Sequence, residues 1–133
     1  CMGMQVLMKH SEENQGVACM NLYAGEVRAF SDDALVEQMR SLKIPHMGWN
    51  EVAQRQDHPL WHEIKDNSRF YFVHSYYAVP ARPADVAATT DYGHEFASVV
   101  AHDNLFAVQF HPEKSQHDGL QLLANFIAWN GES

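Results

Sequence analysis

Three residues have the types needed for nucleophilic attack on a carboxamide or ester. They are Cys1, at the head of CMGMQ, and His111 and Glu113 in FHPEKS. In such a set the thiolate attacks, the imidazole moves protons and the carboxylate orients the imidazole. Cys1 admits two routes. An N-terminal cysteine can use its own α-amine as the base. Alternatively, C-x-G-x-Q is the half of a nucleophile elbow that follows its reactive residue. In that case a short helix behind Cys1 favours its thiolate, helped by a nearby imidazolium. Gly3 then allows close backbone approach to a substrate, and the N–H of Met2 points at a developing oxyanion. In FHPEKS, His111 follows the apolar run LFAVQF, and Glu113 lies two residues on, on the same side of an extended segment. Pro112 restrains the backbone between them. Taken alone, the pair reads equally as an oriented general base or as an incidental contact on a surface turn.

These residues need elements to carry them. GMQVLM starts a short helix after Cys1, and EVRAF reads as a short strand entered from a turn at Gly25. SDDALVEQMRSL reads as a helix capped by Ser31, with acids in its first turn. RFYFVHSYYAVP is the strongest strand signal, aromatic and β-branched and stopped by Pro80. DVAATTDYG and FASVVAHDN are two further strands. An Asp-Asn turn leads into the strand LFAVQF. SQHDGLQLLANFIAWN closes the chain as a helix, with Ser115 as N-cap and Leu120, Leu123, Phe126 and Ile127 on one face. Several strands followed by a strand and a helix read as α+β, or as one half of an α/β domain.

Composition excludes several functions. The chain has 133 residues and a net charge of −8, which argues against broad binding to a phosphate backbone. No apolar run approaches the ~20 residues of a membrane span. Two cysteines do not make a disulfide scaffold, and a reducing cytoplasm fits them better. Cys19 lies among apolar neighbours and reads as a small buried hydrophobe. Nine histidines invite a metal reading. The i,i+4 pair His58 and His62 has Pro59 between its members and no completing ligand, so it reads as a solvated loop or first helical turn, and no metal is expected. His46 and His74 read as structural.

Taken together, C-x-G-x-Q and a distant strand ending in FHPE resemble the class I (triad) glutamine amidotransferases. IPHMGWNEV, YFVHSYY and FHPEKSQHDGLQLLANF are similar to the branch formed by the glutaminase subunits of imidazole glycerol phosphate synthases. The resemblance covers nearly the whole chain and departs from the family at GVACMNLYAG. It implies an α/β fold, flavodoxin-like, with a three-layer arrangement of sheet and helices. Residues 1–133 would then be one amidotransferase domain that lacks its N-terminal strands. It implies that Cys1, His111 and Glu113 form the triad and that Met2 serves the oxyanion. Gln5, Ser75 and Tyr76 would hold L-glutamine. Gly48, Trp49, Asn50, Tyr71 and Lys114 would face a partner, a (β/α)₈-barrel cyclase subunit, in a heterodimer. By residue type, Trp49 reads as an interface indole in a Gly-Trp-Asn loop or as a core tryptophan. Tyr71 reads equally as a buried strand aromatic. No cofactor, nucleic acid or membrane is implied. Another class I amidotransferase, or an inactive fragment of one, is the alternative.

Overall fold

The computed structural model describes residues 2–30 and 43–132. Cys1 and the helix expected over SDDALVEQMRSL lie outside the described residues. The described chain runs α1 (Met2–Gln5), β1 (His10–Ser11), β2 (Val17–Ala18), β3 (Gly25–Ala29), β4 (His46–Gln54), β5 (Ser68–His74), β6 (Tyr76–Pro80), β7 (Val86–Asp91), β8 (Glu95–His102), β9 (Leu105–Val108) and α2 (Gln116–Ala128).

The strands form one sheet in the order β2-β1-β3-β6-β8-β7-β4-β5, with β9 also paired to β8. The β1–β3 pair is parallel, and the other pairs are antiparallel. The run RFYFVHSYYAVP is two strands rather than one. It breaks at Ser75, so β5 pairs with β4 while β6 pairs with β3 and β8. A continuous apolar stretch carries no mark of where the chain changes neighbours.

The register of β4 on β5 sorts the side chains. His46 lies opposite His74, Trp49 opposite Tyr71 and Asn50 opposite Phe70. Alternation along each strand turns His46, Asn50, Val52, Phe70, Phe72 and His74 toward the interior, and Met47, Trp49, Arg69, Tyr71 and Val73 away from it. The inward set joins an aromatic core with Phe30, Tyr77, Phe96 and Phe110. Phe70 stacks on Phe110 at 4.2 Å between centroids, which locks β5 against the segment leading to His111. A second core of Met4, Met8, Tyr23, Val27, Ala78, Ala97 and Val100 seats α1 on the sheet.

Four local expectations are corrected. The Gly-Trp-Asn segment is the middle of β4, not a loop. On α2 the stripe Leu120, Leu123, Phe126 and Ile127 is the exposed side, and the helix is buried through Gly119 and Leu122. His58 is buried rather than solvated: its Nδ1 accepts from the Leu60 N–H at 3.2 Å and caps the 3₁₀ turn Pro59–Trp61. Cys19 is only half-buried, beside the exposed Val17 and Met20. Apolar neighbours in sequence do not bury a residue when the short β1–β2 ribbon that carries them lies at the sheet edge.

Candidate active site

The segment after β9 builds the site. Gln109 still donates its N–H to the Ser98 carbonyl at 2.8 Å, and Phe110 is fully buried. His111 then leaves the ladder. Its N–H donates to the Tyr71 carbonyl at 2.9 Å. Pro112–Lys114 form a 3₁₀ turn, where proline costs no hydrogen bond because its position has no helical acceptor to reach.

The turn aims the side chains. His111 Nδ1 lies 2.8 Å from Glu113 Oε1. The ionised carboxylate is an acceptor only, so Nδ1 carries the proton and Nε2 presents a lone pair. That is the tautomer a general base requires. Burial would raise the Glu113 carboxyl, but the backbone N–H of Glu113, the His111 hydrogen bond and the charges of His111 and Lys114 outweigh it and hold it below the usual range. The carboxylate therefore stays ionised at neutral pH.

Two residues hold this turn in place. Ser115 is buried and does not cap α2 with its side chain, contrary to expectation. Its hydroxyl donates to the His111 carbonyl at 2.6 Å and accepts the Tyr71 N–H at 3.0 Å. Gly119 brings the first turn of α2 against the Pro112 carbonyl: a Cβ there would lie 1.9 Å from that oxygen. No side chain fits.

The other expected site residues divide by position. Met2 and Gly3 lie exposed on α1, while Gln5 is buried on it. Gln5 Nε2 donates to the Tyr76 carbonyl and to Gln109 Oε1, each at 3.1 Å. Both amide hydrogens are thus used inside the protein. Ser75 and Tyr76 are half-buried at the β5–β6 break, within the same neighbourhood. Trp49 is 45% exposed and meets Tyr71 edge-on at 6.0 Å between centroids. The two lie on the outward side of the β4–β5 pair, and Lys114 is exposed on the His111 turn. A cleft of about 400 Å³ opens beside Trp49, lined by Trp49, Arg69, Ser115, Gln116, His117 and Asp118. Gly48 and Asn50 belong to the opposite side of β4. The Asn50 amide turns inward, with Nδ2 2.8 Å from the Asp91 carbonyl and 3.3 Å from His46 Nε2.

Sequence reasoning gave Ser115 a different role, as a helix cap, and did not single out Gly119 or Gln109. The spacing of Ser115 and Gly119 after His111 is visible in FHPEKSQHDG, but their reason for being Ser and Gly is a contact with another strand and with a carbonyl.

The family model for Glutamine amidotransferase class-I matches residues 1–129. The chain is 59% identical over 131 residues to the imidazole glycerol phosphate synthase subunit HisH of Pseudomonas putida, covering 98% of this chain and 61% of that protein. It is 56% identical over 133 residues to the corresponding subunit of Nitrosococcus oceani, covering 100% and 61%. It thus spans about three fifths of the length of these curated relatives. Among solved structures, a proposed GMP synthase component from Thermoplasma acidophilum aligns with a TM-score of 0.56 at 19% identity, over 78% of this chain and 47% of that one. The likeness is one of fold, and it agrees with the amidotransferase-type α/β architecture expected from the sequence.

Proposed function

This chain belongs to the class-I glutamine amidotransferase family, and from that premise we propose that it carries the glutaminase of an imidazole glycerol phosphate synthase. The observation that carries the proposal is the His111–Glu113 pair, with Nδ1–H on the carboxylate and Nε2 left as a base. High identity to curated HisH subunits along nearly the whole chain supports the choice of branch.

In this reaction His111 Nε2 takes the Cys1 thiol proton. The thiolate attacks the side-chain carbonyl carbon of L-glutamine, and the oxyanion is met by backbone donors that include the Met2 N–H. The imidazolium returns its proton to the amide nitrogen as the C–N bond breaks, which releases ammonia and leaves a thioester. His111 next removes a proton from water. The resulting hydroxide cleaves the thioester to glutamate, and the thiol is restored. Glu113 holds the tautomer throughout and stabilises the imidazolium. Gln5, Ser75 and Tyr76 contribute to the glutamine pocket. No cofactor takes part.

The outward face with Trp49, Tyr71 and Lys114 docks on a (β/α)₈-barrel cyclase subunit, which receives the ammonia. Gly48 and Asn50 support that face from the other side of β4. The setting is histidine biosynthesis in the cytoplasm. No described helix is long and apolar enough to cross a membrane.

The test is ammonia release from glutamine by the intact protein, with and without the cyclase. His111→Ala should lower the rate by about 10²–10⁴, and a glutamine-mimicking electrophile should label Cys1 only when His111 is present. Labelling of Cys19 with Cys1 dispensable would overturn the triad. Co-purification with a pyridoxal phosphate synthase rather than a cyclase would overturn the branch.

A further inference from the structure

His46 and His74 are buried cross-strand partners on β4 and β5. His74 Nδ1 lies 2.8 Å from the Tyr76 carbonyl, which can only accept. His74 Nδ1 therefore carries a proton. In the neutral ring Nε2 is then an acceptor, and it lies 2.9 Å from His46 Nδ1. His46 Nδ1 must donate, so His46 Nε2 is an acceptor in turn. Asn50 Nδ2 donates to it at 3.3 Å. The donors run one way: Asn50 to His46, His46 to His74, His74 to the Tyr76 carbonyl. The Gln5 amide meets that same oxygen from α1 and fills its second lone pair.

Packing holds both rings. His46 stacks between Tyr92, 3.9 Å between centroids, and Phe72, 4.9 Å. His74 packs against Phe30 and Phe96. A cation at His74 would set two N–H groups against each other across the 2.9 Å contact, and a cation at His46 would set its Nε2–H against the Asn50 amide N–H. Burial accordingly lowers His46 to about 4 and His74 to about 3.

We propose that His46 and His74 are positioning residues, an imidazole relay that transmits the placement of Asn50 on β4 to the Tyr76 carbonyl and, through it, to Gln5 in the glutamine pocket. The assignment of that pocket rests on the proposed function. The relay itself rests on the hydrogen-bond geometry. Each ring must be the Nδ1–H tautomer, the less favoured one for free histidine in water, so the prediction is sharp.

Long-range ¹H–¹⁵N spectra of the intact, ¹⁵N-histidine-labelled protein test it, with signals assigned by single substitution. The expected result is a protonated Nδ1 and a bare, hydrogen-bonded Nε2 on both rings at pH 7. A proton on Nε2 of either ring, or an imidazolium at pH 7, overturns the relay, whether or not the protein hydrolyses glutamine. His46→Phe keeps the stacking and removes the relay. It should shift His74 Nε2 to a free acceptor and raise KM for glutamine about threefold to tenfold, with kcat within about twofold. Asn50→Ala, a milder change, should free His46 Nε2 and raise KM in the same direction. Lowered thermal stability with KM unchanged in both variants overturns the positioning role and leaves the pair purely structural.

Discussion

The backbone N–H of His111 donates to the carbonyl of Tyr71 at 2.9 Å, so the proposed base is anchored to the residue whose ring packs on Trp49. Ser115 closes the same joint by bonding to both residues. The proposed chemistry and the outward face therefore share one piece of backbone. A change at either end of Tyr71 is felt at the other.

Ser115→Ala tests that joint. The Tyr71 N–H loses its acceptor in a partly buried place, at a cost of about 1 kcal/mol. The His111 turn loosens as well, and misplacing a catalytic group lowers rate by about tenfold to a hundredfold. Denaturant unfolding and ammonia release measured side by side report both effects. A stability loss with normal turnover would show that Ser115 braces the sheet without placing His111.

Gly119→Ala should be worse than an ordinary glycine change within a helix. The new methyl group would overlap the Pro112 carbonyl, so either the 3₁₀ turn or α2 must move. Overpacking of this kind costs about 1–3 kcal/mol or more, against a gain of up to ~1 kcal/mol from helix propensity. The expected readout is a lower unfolding midpoint together with reduced labelling of Cys1. A stabilised, fully active variant would contradict the close approach.

The buried imidazoles set a direction for stability with pH. His46 and His74 are lowered in the native state from 6.5, His46 to about 4 and His74 to about 3. As pH falls below 6.5, the unfolded chain binds these protons and the native chain does not. Stability is then full above pH 6.5 and is lost as pH falls toward 4, by at most about 1.4 kcal/mol per pH unit for each ring. Unfolding measured at pH 7 and pH 5 should show a loss of a few kcal/mol, shrinking to about half in His46→Phe. Equal losses in the two proteins would remove His46 as a source.

Trp49 and Lys114 make separable predictions for the proposed cyclase complex. Trp49 offers a large exposed indole braced by Tyr71, which suits an anchor. Trp49→Ala should weaken cyclase binding by about thirtyfold, or ~2 kcal/mol. Lys114→Ala should mainly uncouple glutamine hydrolysis from cyclisation, with a smaller loss of affinity. Isothermal titration with both rates measured in parallel separates the two. Unchanged affinity and coupling in both variants would move the interface elsewhere.

Part of the local geometry of this protein is legible in its sequence. FHPEKS places an imidazole and a carboxylate two residues apart around a proline, and the 3₁₀ turn Pro112–Lys114, rather than the extended segment expected, brings them together. Strands at GEVRA, VAATTD and LFAV, and the closing helix, follow from local propensity and periodicity. Other features depended on which strands become neighbours. The pairing of β4 with β5 puts His46 opposite His74, turns Asn50 inward and leaves Trp49 outward, although PHMGWN alone looked like a loop. Ser115 reads locally as a helix cap because its bond to Tyr71 spans 44 residues of sequence, and no local pattern encodes such a contact. The exposed stripe on α2 makes the same point in reverse. Periodicity shows that a helix has an apolar side, but the packing of Gly119 against the Pro112 carbonyl, the burial of Leu122 and the Asn125 bonds to the Leu60 and His62 carbonyls set which side faces the protein.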